Sequence, residues 1–317
     1  MRTPFHNYAR QTLLRAGALL LGLALFNVAV DPYNYFGLNR LGVYISADRE
    51  TKSTLVRRGN YDALLIGNSK AAMIPVEQLK GFHFFNAGLG AANAEEMEHF
   101  IRSFAHKQKL VVLSIDYGLH GSDRSEINPF VRWRPMDVMT KAFNLRTIEY
   151  SVRTITSHFR GIPSDFTADG SYVPDRWFAK YGLDRPAEMR RDLDNLGRAY
   201  EVYQRLPGHG MMAFRRIAEI LRQRGIRCLA YIPPMHGEVI HHIEALPDYS
   251  KFQSWKRELV EIFPDLVDFS NSKYSDPAAF FKSDPVHFLP QVGAEFLNNE
   301  LLPKFTAAPA NTIDRSK

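Results

Sequence analysis

Beyond residue 60 the chain alternates short, mostly apolar runs with stretches of helical periodicity. That alternation restricts it to the α/β class with a parallel sheet. The predicted strands are Tyr61–Ile66 (YDALLI), Phe82–Phe85, Leu110–Ile115 (LVVLSI), Arg227–Ile232 (RCLAYI) and Leu266–Phe269. Helices are predicted from Ser69 toward Leu79, and over Ala94–His106, Met211–Arg224 and Gln291–Leu302. The 317 residues are 45% apolar, enough for a real core, and the single Cys228 excludes a disulfide scaffold.

The alternation is interrupted between about residues 119 and 208, a stretch too long for a loop and rich in Arg, Trp and Tyr. We read it as a helical insertion into a domain spanning 61–304, with helical pieces near 147–158 and 186–205, placed over the strand ends where α/β proteins bind ligands. Its Trp133 and Trp177, with Trp255 and with Arg132, Arg134 and Arg176, offer either a sugar-stacking wall or small aromatic cores. Residues 305–317 (FTAAPANTIDRSK) read as a disordered tail.

The other end carries an address. Ala16–Val30 contains no charge and follows Arg2, Arg10 and Arg15. Extended back to Thr12, it rises about 28 Å as a helix, close to the hydrocarbon thickness of a bilayer. The arginines keep the N-terminus in the cytoplasm, and Asp31-Pro32 ends the helix. The expected arrangement is an anchor over 1–30, a juxtamembrane segment over 31–60, and an exported domain held at the inner membrane. A cleaved signal peptide is the competing reading, but no small-x-small site precedes Asp31. The net charge of +6 includes +3 from residues 1–30, and the remainder is mixed in sign with no basic stripe. Nucleic acid is therefore not an expected partner.

Two motifs stand where the predicted topology places chemistry. Gly67-Asn68-Ser69 ends the first strand and opens a helix, which exposes the serine Oγ and turns its N–H toward an incoming anion. Asp284-Pro285-Val286-His287 follows the last strand, and its spacing lets the carboxylate orient the imidazole toward a serine proton. Each motif alone reads first as a helix cap or a surface turn. Other candidates are weaker. His236, His241 and His242 match no common zinc spacing, and Gly88-Leu89-Gly90-Ala91-Ala92-Asn93 puts Asn93 where a dinucleotide fingerprint needs glycine. No metal site is predicted.

Taken together and in this order, the chain resembles the SGNH, or GDSL-like, hydrolase superfamily, including its membrane-anchored bacterial members associated with the cell envelope and exopolysaccharide. The first block resembles Gly67-Asn68-Ser69, the second Asn86-Ala87-Gly88-Leu89-Gly90, and the last Asp284-x-x-His287, over about 61–118 and 209–302. The resemblance implies a flavodoxin-like three-layer sandwich with Ser69 as nucleophile, His287 as base and Asp284 as its orienter. It also implies an oxyanion hole from the N–H groups of Ser69 and of Gly88 or Gly90, and no cofactor. The implied function is a serine esterase or O-acyltransferase, such as an O-acetyltransferase, acting on an envelope or secreted polysaccharide or another acylated substrate. Envelope assembly proteins are its implied partners. The alternative is a catalytically weak scaffold of the same fold. One block departs: Asp116 stands where the family places an Asn donor, and an ionised carboxylate repels an oxyanion. Either Asn68, Asn93 or His120 replaces that donor, or Asp116 is held protonated, or the site is weak, or Asp116 is structural. Asn68, Asn93, Asp116, His120 and His236 are accordingly the candidate substrate-binding residues.

Overall fold

The computed structural model describes residues 4–45, 47–119, 130, 135–181, 189–203, 209–282 and 284–307. In chain order the helices and strands are α1 (Pro4–Val30), α2 (Asp48–Arg58), β1 (Ala63–Ile66), α3 (Ser69–Ala72), β2 (Phe84–Asn86), α4 (Ala94–Phe104), β3 (Leu110–Ser114), α5 (Pro135–Phe143), α6 (Leu145–Phe159) and α7 (Pro174–Tyr181). They continue as α8 (Met189–Tyr203), α9 (His209–Gln223), β4 (Arg227–Ile232), α10 (Gly237–Glu244), α11 (Tyr249–Ile262), β5 (Val267–Asp268), β6 (Phe280–Phe281), β7 (Asp284–Phe288), α12 (Pro290–Phe296) and α13 (Pro303–Ala307). The chain forms two compact units, one from residues 1–58 and 129–168, the other from 59–128 and 169–317. The expected insertion is thus divided: 129–168 joins the N-terminal segment, and 169–208 stays with the sheet.

The larger unit is built on five parallel strands in the order β2-β1-β3-β4-β5. β4 lies beside β3, with Val111 opposite Cys228, despite the long stretch between them. The residues of β1, β2 and β3 are buried throughout, which is why these strands read as continuous apolar runs rather than alternating ones. One core gathers Leu65, Val112, Leu229 and Tyr231 of the sheet with Phe288, Phe296, Leu297 and Leu301 of the C-terminal region. α4 begins at an Asn93–Glu96 capping box and buries Met97, Phe100, Ile101 and Phe104.

Three local expectations need correction. The helix opened by Ser69 ends after one turn, because Pro75 disfavours helical geometry at Ile74 and the Asn86 side chain takes carbonyls of that turn. Asp284–Phe288 is a strand rather than a turn, paired antiparallel with β6. Residues 305–307 are not a disordered tail: they belong to α13, with Phe305 edge-on to Phe82 at 4.9 Å and beneath the Arg227 guanidinium. Residues 308–317 lie outside the described residues.

In the smaller unit α1 is longer than expected, and Asn7–Val30 is long and apolar enough to cross a membrane, with a mean hydropathy of 2.0 over its most apolar 18 residues. Its last two turns are packed rather than free: Ala24, Asn27 and Val30 are buried. Asn27 donates from Nδ2 to the Ala142 carbonyl at 2.8 Å and accepts from Ser151 Oγ at 3.0 Å. The helix ends at Asp31 as expected, with φ of +50°. The Asp31 carboxylate gathers the N–H groups of Tyr35, Phe36 and Leu38. The segment after α1, expected to be juxtamembrane, is itself folded, and Tyr33, Tyr35, Val43 and Ile45 form a core with Tyr150.

Candidate active site

The turn from β1 into α3 is shaped by what cannot fit there. A Cβ on Gly67 would stand 2.6 Å from Ala71 Cβ and 2.7 Å from Ser114 Cβ, so only glycine lets β1, α3 and β3 meet. Asn68 caps α3, its Oδ1 accepting the Lys70 N–H at 3.0 Å. Ser69 is thereby lifted to a half-buried position at the strand end.

β7 brings the other two expected residues to it. Ser69 Oγ lies 2.8 Å from His287 Nε2, and His287 Nδ1 lies 2.6 Å from Asp284 Oδ2. Asp284 is held in turn by the N–H groups of Val286 and His287 on its Oδ1. Burial pushes the Asp284 carboxyl up, but the His287 ring and these N–H donors outweigh it and hold it below 3.8. An ionised Asp284 fixes the proton on Nδ1, which leaves Nε2 to accept from the serine hydroxyl.

The second block acts differently from the expectation. Asn86 is fully buried and its Nδ2 donates to the carbonyls of Ala71 and Ile74 at 2.9 and 2.8 Å, clamping the end of the serine's helix. Its Oδ1 accepts the Gly88 N–H at 2.9 Å. The Gly90 N–H donates to the Tyr172 hydroxyl at 2.9 Å. Both glycine donors expected of an oxyanion hole are thus engaged, one by an Asn side chain folding back two residues along, the other by a tyrosine from the divided insertion. Among the described residues none accepts from the Ser69 N–H. Gly88 is needed for proximity instead: a Cβ there would come within 2.5 Å of the Ala72 nitrogen.

Asp116, the departing residue, is neither protonated nor unpaired. Its Oδ2 lies 2.7 Å from Lys70 Nζ, with both side chains buried, and accepts from Asn68 Nδ2 at 3.3 Å. The Gly118 N–H reaches Oδ1 at 3.4 Å. Burial acts to raise this carboxyl, yet the Lys70 ammonium and the surrounding donors hold it below 3.8. Lys70 is the residue that sequence reasoning missed. Its signal in the sequence was slight: a cation next to the serine, and an acid at 116 with no partner assigned.

The remaining candidates are placed as follows. Asn93 caps α4 through the Glu96 N–H, a structural role. His236 is 2% exposed, accepts the Glu238 N–H as the cap of α10, and packs edge-on to Phe280. Burial holds its pKa below 6.5, against the pull of Glu238 and Asp276. It presents no accessible ring edge to a substrate. His120 lies outside the described residues, as do Trp133, Arg132 and Arg134. Trp255 belongs to an aromatic core with Tyr117 and Phe252. Trp177 of the expected wall reaches the site, stacked on Tyr172 at 4.8 Å and edge-on to His287 at 5.9 Å. Beyond it, α7 and the β6–β7 hairpin frame a groove lined by Phe178, Phe280, Phe281, Leu289, Asp175 and Lys282.

A comparison with protein-family models finds none that matches the chain, and a comparison with curated proteins finds no match either.

Proposed function

We propose that this chain is a membrane-anchored serine esterase or O-acyltransferase of the SGNH type, acting on an acylated envelope or secreted polysaccharide. The carrying observation is the continuous hydrogen-bonded chain from Ser69 through His287 to Asp284, at 2.8 and 2.6 Å. A flavodoxin-like three-layer sandwich is part of the proposal, supported by the strand order 2-1-3-4-5 and by a serine at the carboxyl end of β1. The apolar length of α1 supports a single-pass anchor in the inner membrane, with the larger unit on the periplasmic or extracellular side.

In this mechanism Ser69 Oγ attacks the acyl carbonyl carbon while His287 Nε2 takes the hydroxyl proton. The tetrahedral oxyanion accepts from the Ser69 N–H and from the Asn68 amide, whose orientation is set by Asp116. Collapse expels the alcohol, which leaves with the proton from His287. Water or a sugar hydroxyl then attacks the acyl-serine, giving up its proton to His287, and Ser69 is regenerated. Asp116 stays ionised, but the Lys70 ammonium at 2.7 Å offsets its field at the oxyanion.

The full-length protein in detergent should be labelled at Ser69 by a fluorophosphonate and should release acetate from an activated acetyl ester. Ser69→Ala and His287→Ala should each lower turnover by roughly 10⁴- to 10⁶-fold. The engagement of the Gly88 and Gly90 N–H groups favours one second reading, a scaffold of the same fold with little catalysis. Absence of both labelling and turnover in the folded protein would establish that reading over the enzyme.

A further inference from the structure

The apolar residues of α6 recur at Leu145, Ile148, Val152, Ile155 and Phe159, one stripe along a helix. In a water-surrounded unit such a stripe faces the core. Here three of the five face outward, with Ile148 and Ile155 half-buried. Leu145, Val152 and Phe159 are 79%, 48% and 81% exposed, whereas Thr147, Ser151 and Thr154 are buried. α5 repeats the pattern, with Met136, Met139 and Phe143 exposed at i, i+3 and i+7 and Ala142 buried. Hydroxyl groups inside and hydrocarbon outside is the arrangement of helices whose surroundings are lipid, where small polar residues join neighbouring helices.

The length of α1 supplies the depth. After Arg15 the uncharged run to Val30 rises about 22 Å, less than the roughly 30 Å of hydrocarbon. A crossing by α1 therefore needs its last two turns inside the outer leaflet. Those turns are the ones that Ala142 of α5 and Ser151 of α6 hold through Asn27. α5 and α6 rise only about 13 and 22 Å, too little to cross. Arg146, Arg153 and Arg160 follow one another every seven residues along one border of the apolar stripe, all exposed, the first two over the Tyr150 ring. Long cationic side chains at such a border reach phosphate headgroups.

We propose that α5 and α6 form a monotopic hairpin embedded in the outer leaflet beside α1, with Met136, Met139, Phe143, Val152 and Phe159 in the acyl chains. The depth assigned to it rests on the proposed crossing by α1, whereas the outward exposure does not.

The test uses the full chain with Cys228→Ser, carrying single cysteines at Met139, Val152 or Phe159 labelled with an environment-sensitive fluorophore. Leu20 in α1 and Lys251 in α11 serve as references. In phosphatidylethanolamine–phosphatidylglycerol vesicles, acyl-chain nitroxides should quench labels at 139, 152 and 159 at least twofold. Aqueous iodide should quench them several-fold less than the label at 251. Iodide quenching equal to that at 251, without nitroxide quenching, would overturn the hairpin's placement. If the label at 20 is still quenched by nitroxide in that case, the crossing by α1 survives. Nitroxide quenching at 139, 152 and 159 but not at 20 supports the hairpin and removes the crossing instead.

Discussion

Replacing Lys70 by Met leaves the Asp116 carboxylate buried beside Ser69 without its counter-charge. At 2.7 Å and an effective dielectric of about 20, the attraction lost is about 6 kcal/mol. Burying the two ions costs several kcal/mol each, so the pair as a whole is close to neutral for stability. Removing one partner is not neutral. Lys70→Met and Asp116→Asn should each destabilise by about 3–5 kcal/mol, whereas the double variant should lose only about 1–2 kcal/mol. The coupling is then several kcal/mol, against less than about 0.5 kcal/mol for independent sites. Denaturant unfolding of full-length protein, followed by tryptophan fluorescence, measures it, because Trp177 and Trp255 both lie in the larger unit. Ester turnover gives a second measurement. Asp116→Asn places a neutral amide beside Ser69 but strands the buried Lys70 ammonium, so turnover should fall and should recover in the double variant. Additive destabilisation, or faster turnover in Asp116→Asn alone, would refute the reasoning and mean that the carboxylate opposes the oxyanion.

Asn86→Ala removes the clamp on α3, orphaning the Ile74 carbonyl and leaving that of Ala71 with backbone donors alone; a loss of about 1–3 kcal/mol and slower fluorophosphonate labelling of Ser69 are expected. Trp177→Ala removes the ring edge-on to His287, worth about 0.5–1.5 kcal/mol, so kcat should fall about two- to tenfold while Trp177→Phe keeps most of it. The depressed carboxyls of Asp116 and Asp284 contribute stability that is fully present above their unfolded value of 3.8 and is lost as pH falls through the lower folded values. An acid titration by circular dichroism should therefore show a shallower loss in the Lys70→Met/Asp116→Asn variant.

The sheet was legible because a parallel strand buried on both faces needs an uninterrupted apolar run, and YDALLI, LVVLSI and RCLAYI each supply one. The triad was legible for a related reason: short motifs at strand ends are placed by the topology alone. The engagement of the Gly88 and Gly90 N–H groups was not, since a glycine in a motif does not reveal what its N–H already binds. Asn86 folding back on Gly88 follows the ordinary habit of an Asn in a turn, but Tyr172 arrives from more than eighty residues away. Lys70 escaped notice because a lone lysine reads as solvated, and only the fold brings it against Asp116. The division of the insertion was hidden by α5 and α6, where Met136, Met139, Phe143, Leu145, Val152 and Phe159 face outward while Thr147, Ser151 and Thr154 are buried.

The bonds at Asn27 also set an order of events during synthesis. Its two partners lie 115 and 124 residues further along the chain. At roughly 5–20 residues per second, Ser151 leaves the ribosome about 6–25 seconds after Asn27. For that interval α1 is a solitary helix with an open amide two turns wide of its apolar centre, and any machinery that handles it meets that form first. Ser151→Ala would leave the proposed early insertion of α1 unchanged and act only on the later docking, so its defect should appear in pulse-chase protection of α1 after the full chain is complete, not before.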